Sequence, residues 1–150
     1  MIHLLTTLLF GLALFRGPVP GTSPDVKQPV PDGRAIRLTT FFQIHQCPAP
    51  YHVEDYLRAA DIYSVDYRLL PAISFRESTC GEYCRLNNHW GWDSARTGFA
   101  SVKSGIYYVM SQLAYGKPYK GTSLDQKLYE YNPRPSYAIA IKQTMREIGE

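Results

Sequence analysis

Apolar residues recur every three or four positions along much of this chain, and this spacing predicts helices. The segments that show it are 50–64, 101–116 and 135–148. In the last of them the apolar stripe consists of Tyr137, Ile141, Met145 and Ile148. No segment alternates apolar and polar residues strongly enough to predict a strand, although 35–44 (AIRLTTFFQI) is ambiguous. The pattern therefore predicts an all-α domain.

The segment 66–78 (DYRLLPAISFRES) differs from the others, because apolar side chains surround it almost completely. They are Leu69, Leu70, Ala72, Ile73 and Phe75. A helix that is apolar on nearly all sides is buried on nearly all sides. We expect it to begin near Asp66, a possible N-cap, to hold Pro71 in its first turn, and to stop at Gly81. This helix is the predicted centre of the fold.

A shorter helix is predicted over 122–131 (TSLDQKLYEY) from the residues at its ends. Ser123 and Gln126 have the spacing of a capping box, in which each side chain bonds the backbone of the other residue. Asn132 and Pro133 are expected to end the helix.

The N-terminal part of the chain is predicted to lie outside the folded domain. Residues 1–16 are expected to act in export, as a signal peptide or as a retained membrane anchor; the alternative is a cytoplasmic protein in which they form an apolar helix. Their apolar stretch is shorter than the roughly 20 residues that a membrane span needs, and it suits a secretory signal. The segment 17–35 is rich in proline and is interpreted as an extended linker. The folded domain is predicted to cover 36–150.

Length and charge restrict the classes of partner. A chain of 150 residues suggests one domain, which we expect to be a monomer. The formal net charge is +3, and no run of Lys and Arg is dense enough to form a basic stripe. We therefore expect no nucleic-acid partner. A small positive balance is compatible with a polyanionic substrate such as a bacterial wall.

Three cysteines permit one disulfide and leave one thiol over. Both a Cys80–Cys84 bridge and a Cys47–Cys84 bridge remain open. A zinc site formed by the cysteines with His45 or His89 is an alternative, but an exported protein without a second close pair of ligands argues against it. We expect no metal and no cofactor.

Glu77 lies where the apolar helix meets a loop. A carboxylate at such a place loses hydration, which should raise its pKa and let it hold a proton near neutral pH. Glycosidases use such an acid to protonate the leaving oxygen of a glycosidic bond. In the loop 84–98, Trp90 and Trp92 offer flat faces for sugar rings, and Asn88 offers an amide for N-acetyl and hydroxyl groups. The alternatives are an ordinary exposed glutamate and tryptophans that pack the loop.

Three separated motifs, LLPAISFRESTCG, NNHWGW and YNPRPSYA, resemble a known family. They occur in the order seen in the bacterial glucosaminidase domains of the lysozyme superfamily, the mannosyl-glycoprotein endo-β-N-acetylglucosaminidase-like group. The resemblance covers roughly 49–148. It implies a lysozyme-like helical domain that cuts β-1,4 bonds in the glycan strands of peptidoglycan. It also implies that Glu77 is the catalytic acid and that Tyr131 lines the cleft.

The sequence departs from this family at Arg134, where related members have an aspartate. Glycoside hydrolysis needs a second carboxylate. Of the local candidates Asp93 and Glu82, Asp93 is preferred because it follows the WGW motif, although it could also simply cap the loop. Two other functions stay open: a lytic transglycosylase that uses Glu77 alone, and a catalytically inactive peptidoglycan-binding domain.

Overall fold

The computed structural model describes residues 32–149, and these form six α-helices and no strand. The helices are α1 (Gly33–Ile44), α2 (Val53–Tyr63), α3 (Leu69–Ser78), α4 (Val102–Tyr115), α5 (Leu124–Tyr131) and α6 (Pro135–Gly149). A short 3₁₀ helix, Trp92–Ala95, lies between α3 and α4. The prediction of an all-α domain is confirmed.

The start of the fold differs slightly from the predicted boundary. Helix α1 begins at Gly33, with the side chain of Asp32 accepting a hydrogen bond from the Arg34 N–H at 2.8 Å. The domain therefore starts before Ile36. The predicted export segment and most of the predicted linker lie outside the described residues. No helix within 32–149 is both long and apolar enough to cross a membrane.

Helix α3 is the centre of the core, as its composition predicts. Four of its apolar side chains are at most 2% exposed: Leu69, Leu70, Ala72 and Ile73. Helix α6 packs mainly on α3, while α2 packs mainly on α4. The predicted stripe of α6 is turned inward, with its last three members, Ile141, Met145 and Ile148, buried. This arrangement leaves the C-terminal end of α3 free to meet the loop that follows it.

The helix ends follow local hydrogen bonds, with one confirmed prediction and two corrections. The capping box of Ser123 and Gln126 is present at the start of α5. Asp66 is not the N-cap of α3. Its side chain accepts a hydrogen bond from the Arg68 N–H in the turn before the helix, and Arg68 is the N-cap of α3, which begins at Leu69. Helix α3 also ends before Gly81, because Thr79 already has a left-handed backbone with φ 52°.

A disulfide joins Cys47, after α1, to Cys80, after α3, across a Cα–Cα distance of 5.5 Å. Neither pairing considered from the sequence is correct, and Cys84 is the free thiol. The bridge holds the chain that leaves α3 against the chain that leaves α1. The zinc alternative is also wrong, because two of its proposed ligands are bonded to each other.

Candidate active site

The last turn of α3 carries Glu77 and is fastened to the loop beyond it. The Ser78 hydroxyl donates to the carbonyl of His89 at 2.6 Å, and it accepts from the Gly81 N–H at 2.8 Å. Ser78 is itself 5% exposed, so these bonds are largely shielded from water. The side chain that follows Glu77 therefore fixes the loop beside the candidate acid.

Gly91 lies directly against the Glu77 carboxylate. Its backbone has φ +60°, and a Cβ atom built on it would lie 2.8 Å from Glu77 Oε2. Only glycine adopts this conformation without strain and also allows so close an approach. The glycine of the WGW motif therefore leaves room for the Glu77 carboxylate.

Glu77 lines a cleft of about 580 Å³. Four of the six side chains predicted to form the site line this cleft: Glu77, Trp92, Asp93 and Tyr131. Several other lining residues were not predicted from the sequence, among them Tyr108, Lys117, Tyr119 and Glu130. The structure thus brings together residues from α3, from the loop after it, from α4 and from α5.

Trp92 is the centre of an aromatic wall in this cleft. Its ring centroid lies 5.9 Å from that of Tyr119 and 5.9 Å from that of Tyr131. Tyr131 in turn stacks on Tyr137 with an angle of 5° between the ring planes. Trp92, Tyr131 and Tyr137 are partly exposed, whereas Tyr119 is buried, and partly exposed aromatic rings offer flat apolar faces with polar edges. The wall suits a ligand with a flat apolar face, such as a sugar ring.

The hydroxyl groups of Tyr131 and Tyr137 stay protonated beside Glu77. Burial raises the pKa of Tyr131, and the negative charge of Glu77 raises it further. The same two causes raise the pKa of Tyr137. The Tyr131 hydroxyl donates to the carbonyl of Trp90, which links α5 to the loop after α3. The buried Tyr137 hydroxyl is close enough to respond to Glu77, although no hydrogen bond of ordinary geometry joins the two groups.

Trp90 lies in the core, so the prediction that it contacts sugar is wrong. Its side chain is 0% exposed. It packs against Gly105 of α4, where a Cβ atom would come within 2.5 Å of Trp90 Cζ3. The missing side chain at Gly105 creates the space for the indole. Of the two tryptophans, only Trp92 is available to a ligand.

Asn88 is also unavailable, because its amide holds the loop together. Its Nδ2 group donates to the carbonyls of Trp92 at 2.9 Å and Thr97 at 2.8 Å. Its Oδ1 atom accepts from the Trp92 N–H at 3.0 Å, and the residue is 3% exposed. The predicted ligand-binding role is wrong. Asn88 instead sets the backbone on which Trp92 and Asp93 are presented.

Asp93 both lines the cleft and caps the loop. It forms an ion pair with Arg96 at 2.6 Å and accepts a hydrogen bond from the Thr97 hydroxyl at 3.1 Å. The Arg96 guanidinium, followed by the Thr97 hydroxyl, lowers the pKa of Asp93. Asp93 is therefore an ionised carboxylate over the whole neutral range, but one that already has a cationic partner.

Glu130 is a further carboxylate of the cleft lining that was not predicted from the sequence. It precedes Tyr131 at the end of α5 and forms no ion pair with any residue of 32–149. The pKa of Tyr119 is raised by burial and then by the charge of Glu130, which places the two groups near each other. The sequence signal that could have identified Glu130 is its neighbour Tyr131, because adjacent residues at a helix end can line the same cleft.

The loop between α4 and α5 contributes Lys117, Pro118 and Tyr119 to the lining and is held by one ammonium group. Lys127 Nζ donates to the carbonyls of Leu113, at 2.8 Å, and Tyr119, and it lies 3.4 Å from the Thr122 hydroxyl. Burial lowers the pKa of Lys127. Because these acceptors lie in the last turn of α4 and within the loop, Lys127 fixes the path of the chain that carries Lys117 and Tyr119.

The described residues contain no group of three or more His, Cys, Asp or Glu side chains placed to hold a metal ion. Comparison with protein-family models, with curated proteins and with solved structures found no match. The site therefore has to be interpreted from its own chemistry. It combines one carboxylate at a helix end, an aromatic wall, and two further carboxylates in a single open cleft.

Proposed function

We propose that this protein is a lysozyme-like glycoside hydrolase that cuts β-1,4 bonds in peptidoglycan glycan strands, of the endo-β-N-acetylglucosaminidase type. Glu77 is the general acid that gives its proton to the leaving glycosidic oxygen. The observation that carries the proposal is the position of Glu77, at the end of a buried helix and in the same cleft as Trp92 and Tyr131. An all-helical domain arranged around α3 supports the lysozyme-like assignment.

A bound ligand buries the Glu77 carboxyl group, which the protein alone leaves exposed. Glu77 is exposed in the free protein, so the burial expected from the sequence is absent before binding. A sugar ring that packs on Trp92 excludes water from the adjacent Glu77 carboxyl, and the loss of water favours the neutral, proton-donating form. Tyr131 and Tyr137 contribute neutral hydroxyls on the same side and add no second negative charge.

Hydrolysis also needs a second carboxylate to act as base or nucleophile. Asp93 is ionised, as that role requires, but its bond to Arg96 reduces its basicity. Glu130 has no such partner among the described residues. We assign the second step to one of these two carboxylates, and variants of each distinguish them.

A lytic transglycosylase is the second candidate, and the engagement of Asp93 with Arg96 and Thr97 favours it. In that reaction Glu77 acts alone. A hydroxyl of the muramic acid replaces water as the attacking group and gives its proton to the Glu77 carboxylate, so an anhydro-sugar end forms. No other carboxylate is needed.

The disulfide between Cys47 and Cys80 supports export, because such bridges persist in oxidising compartments. We place the protein in the periplasm, in the cell envelope or outside the cell, as a monomer with peptidoglycan as its partner. The apolar N-terminal residues 1–16 would direct export or associate with the membrane. The formal net charge of +3 suits a polyanionic wall.

Mass spectrometry of peptidoglycan digested by the full chain tests the proposal. Reducing N-acetylglucosamine ends from the wild type, and none from Glu77→Gln, support the glucosaminidase assignment. The matched control is Glu82→Gln, which removes an exposed carboxylate outside the cleft lining and should cleave normally. Anhydro-muramyl ends would assign the transglycosylase reaction instead. No cleavage, with wild type and Glu77→Gln both pelleting with the wall, would make this a binding domain.

The second carboxylate is assigned in the same digest with Asp93→Asn and Glu130→Gln. The variant that loses hydrolysis identifies the base or nucleophile. Full activity in both variants would contradict a two-carboxylate mechanism and leave Glu77 as the only acid.

A further inference from the structure

Lys117 is the only basic side chain among the described residues that line the cleft. It lies in the loop between α4 and α5 and is exposed. No carboxylate of residues 32–149 lies within ion-pair distance of its ammonium group. The other charged side chains of the lining are Glu77, Asp93 and Glu130. An otherwise acidic cleft thus contains one unpaired positive charge.

The position of this charge is defined by the loop that carries it. Tyr119, two residues further on, is 8% exposed and its ring packs 5.9 Å from that of Trp92. Lys127 donates hydrogen bonds to the carbonyls of Leu113 and Tyr119 on either side of Lys117. Lys117 is therefore held beside the aromatic wall by a fixed backbone, although its side chain is free to reach a ligand.

We propose that Lys117 binds a carboxylate of the substrate, and that the cleft therefore selects a carboxylate-bearing amino sugar over a neutral one. This inference rests on the proposed function. In peptidoglycan, neutral N-acetylglucosamine alternates with N-acetylmuramic acid, whose lactyl carboxyl group is amide-linked to the stem peptide and is a free carboxylate only where that peptide has been removed. Glu77, Asp93 and Glu130 disfavour a negative charge elsewhere in the cleft. On a peptide-free strand, a lactyl carboxylate is favoured beside Lys117, which sets the register of the strand relative to Glu77.

The test compares two forms of one substrate. Glycan strands freed of peptide keep their lactyl carboxylates, and methyl esterification of the same strands removes the charge without changing the sugars. Lys117→Met should raise KM for the free-acid strands about two- to fivefold, the range that an exposed ion pair supports. It should leave kcat for these strands, and both constants for the ester, unchanged. Lys117→Arg keeps the charge and should restore the wild-type KM.

Lys120→Met is the matched control, because Lys120 is an exposed lysine of the same loop that does not line the cleft. It should behave as wild type on both substrates. The difference in KM should also shrink as sodium chloride is added, because salt screens exposed charges. An equal change on both substrates in Lys117→Met, or the same change in Lys120→Met, would overturn the inference.

A wild type that cleaves neither substrate would count against the proposed function, and the inference would then be judged by binding. Tryptophan fluorescence titration with the same two strands gives their affinities without turnover. Weaker binding of the free-acid strands alone in Lys117→Met supports the inference. Equal affinities for both strands in wild type and variant overturn it.

Discussion

Replacing Gly91 with alanine changes two things at once, the backbone of the loop and the space available to Glu77. The backbone at Gly91 has φ +60°, a conformation that costs an L-residue roughly 1–2 kcal/mol. The new Cβ atom would lie 2.8 Å from Glu77 Oε2, where ordinary contact begins at 3.4 Å. The carboxylate must therefore retreat by about 0.6 Å. Because Glu77 is exposed, it can move at little cost in stability.

Gly121→Ala separates the two effects. Gly121 has φ +73°, close to that of Gly91, but a Cβ atom there would meet nothing within 4 Å. Both variants should lose roughly 1–2 kcal/mol of stability, which lowers the midpoint of thermal unfolding by about 4–8 °C. Under the proposed function, in which Glu77 is the general acid, only Gly91→Ala should lose turnover, by tenfold or more, because a small misplacement of a catalytic group is costly.

The assay pairs thermal unfolding followed by circular dichroism with turnover on peptidoglycan at a temperature where both variants are folded. Full turnover in Gly91→Ala would show that Gly91 does not set the position of the acid. A much larger loss of stability in Gly91→Ala than in Gly121→Ala would show that the carboxylate is not free to move. Either result would refute the reasoning.

Two predictions concern stability alone. Replacing both Cys47 and Cys80 with alanine should cost about 3–4 kcal/mol in urea unfolding, given a sequence separation of 33 residues, whereas Cys84→Ala should cost little. An unchanged midpoint in the double variant would contradict the bridge. Burial, followed by the charge of His52, lowers the pKa of His89 from 6.5 to about 4. Between these pH values His89 therefore binds a proton in the unfolded chain but stays neutral in the folded protein. Stability should be full above pH 6.5 and fall by about 1–2 kcal/mol towards pH 4, after allowance for partial exposure. His89→Gln should flatten this pH dependence, and a dependence that persists in the variant would assign it to another group.

The helices could be predicted because their apolar spacing and their end residues agree. Leu69, Leu70 and Ile73 give α3 an apolar surface that only a central position can bury. The segment of α1 is ambiguous because it is rich in aromatic and β-branched residues, which favour strands. Its buried residues, Leu38, Phe41 and Phe42, do have helical spacing, but the stretch is too short for the period to decide.

The disulfide and the end of α3 could not be predicted from local sequence. Cys47 meets Cys80 only because α1 and α3 place their C-terminal ends side by side. Thr79 takes a left-handed conformation that its residue type does not favour, two residues before the glycine that marks the expected stop. Both features depend on contacts between elements, which a single sequence does not reveal.

The candidate site could be predicted only in part, because it too depends on contacts between elements that are distant in the sequence. Glu77, Trp92 and Tyr131 come from motifs, and the structure places them in one cleft. Trp90 was wrongly predicted to contact sugar, because the space that its indole fills in the core is created by Gly105, on another helix. Lys117 carries no local signal, since its place in the lining depends on how the chain between α4 and α5 is folded back.

The hydrogen bonds of Lys127 have a consequence for how a ligand would be recognised. They order the wall that carries Tyr119 when the chain folds, so the conformational entropy of that segment is lost then and not at association. A ligand that enters the cleft gives up mainly its own freedom, and the protein contributes little further ordering cost. Recognition by a wall that is ordered before binding favours rigid ligands, which also lose little conformational entropy on association.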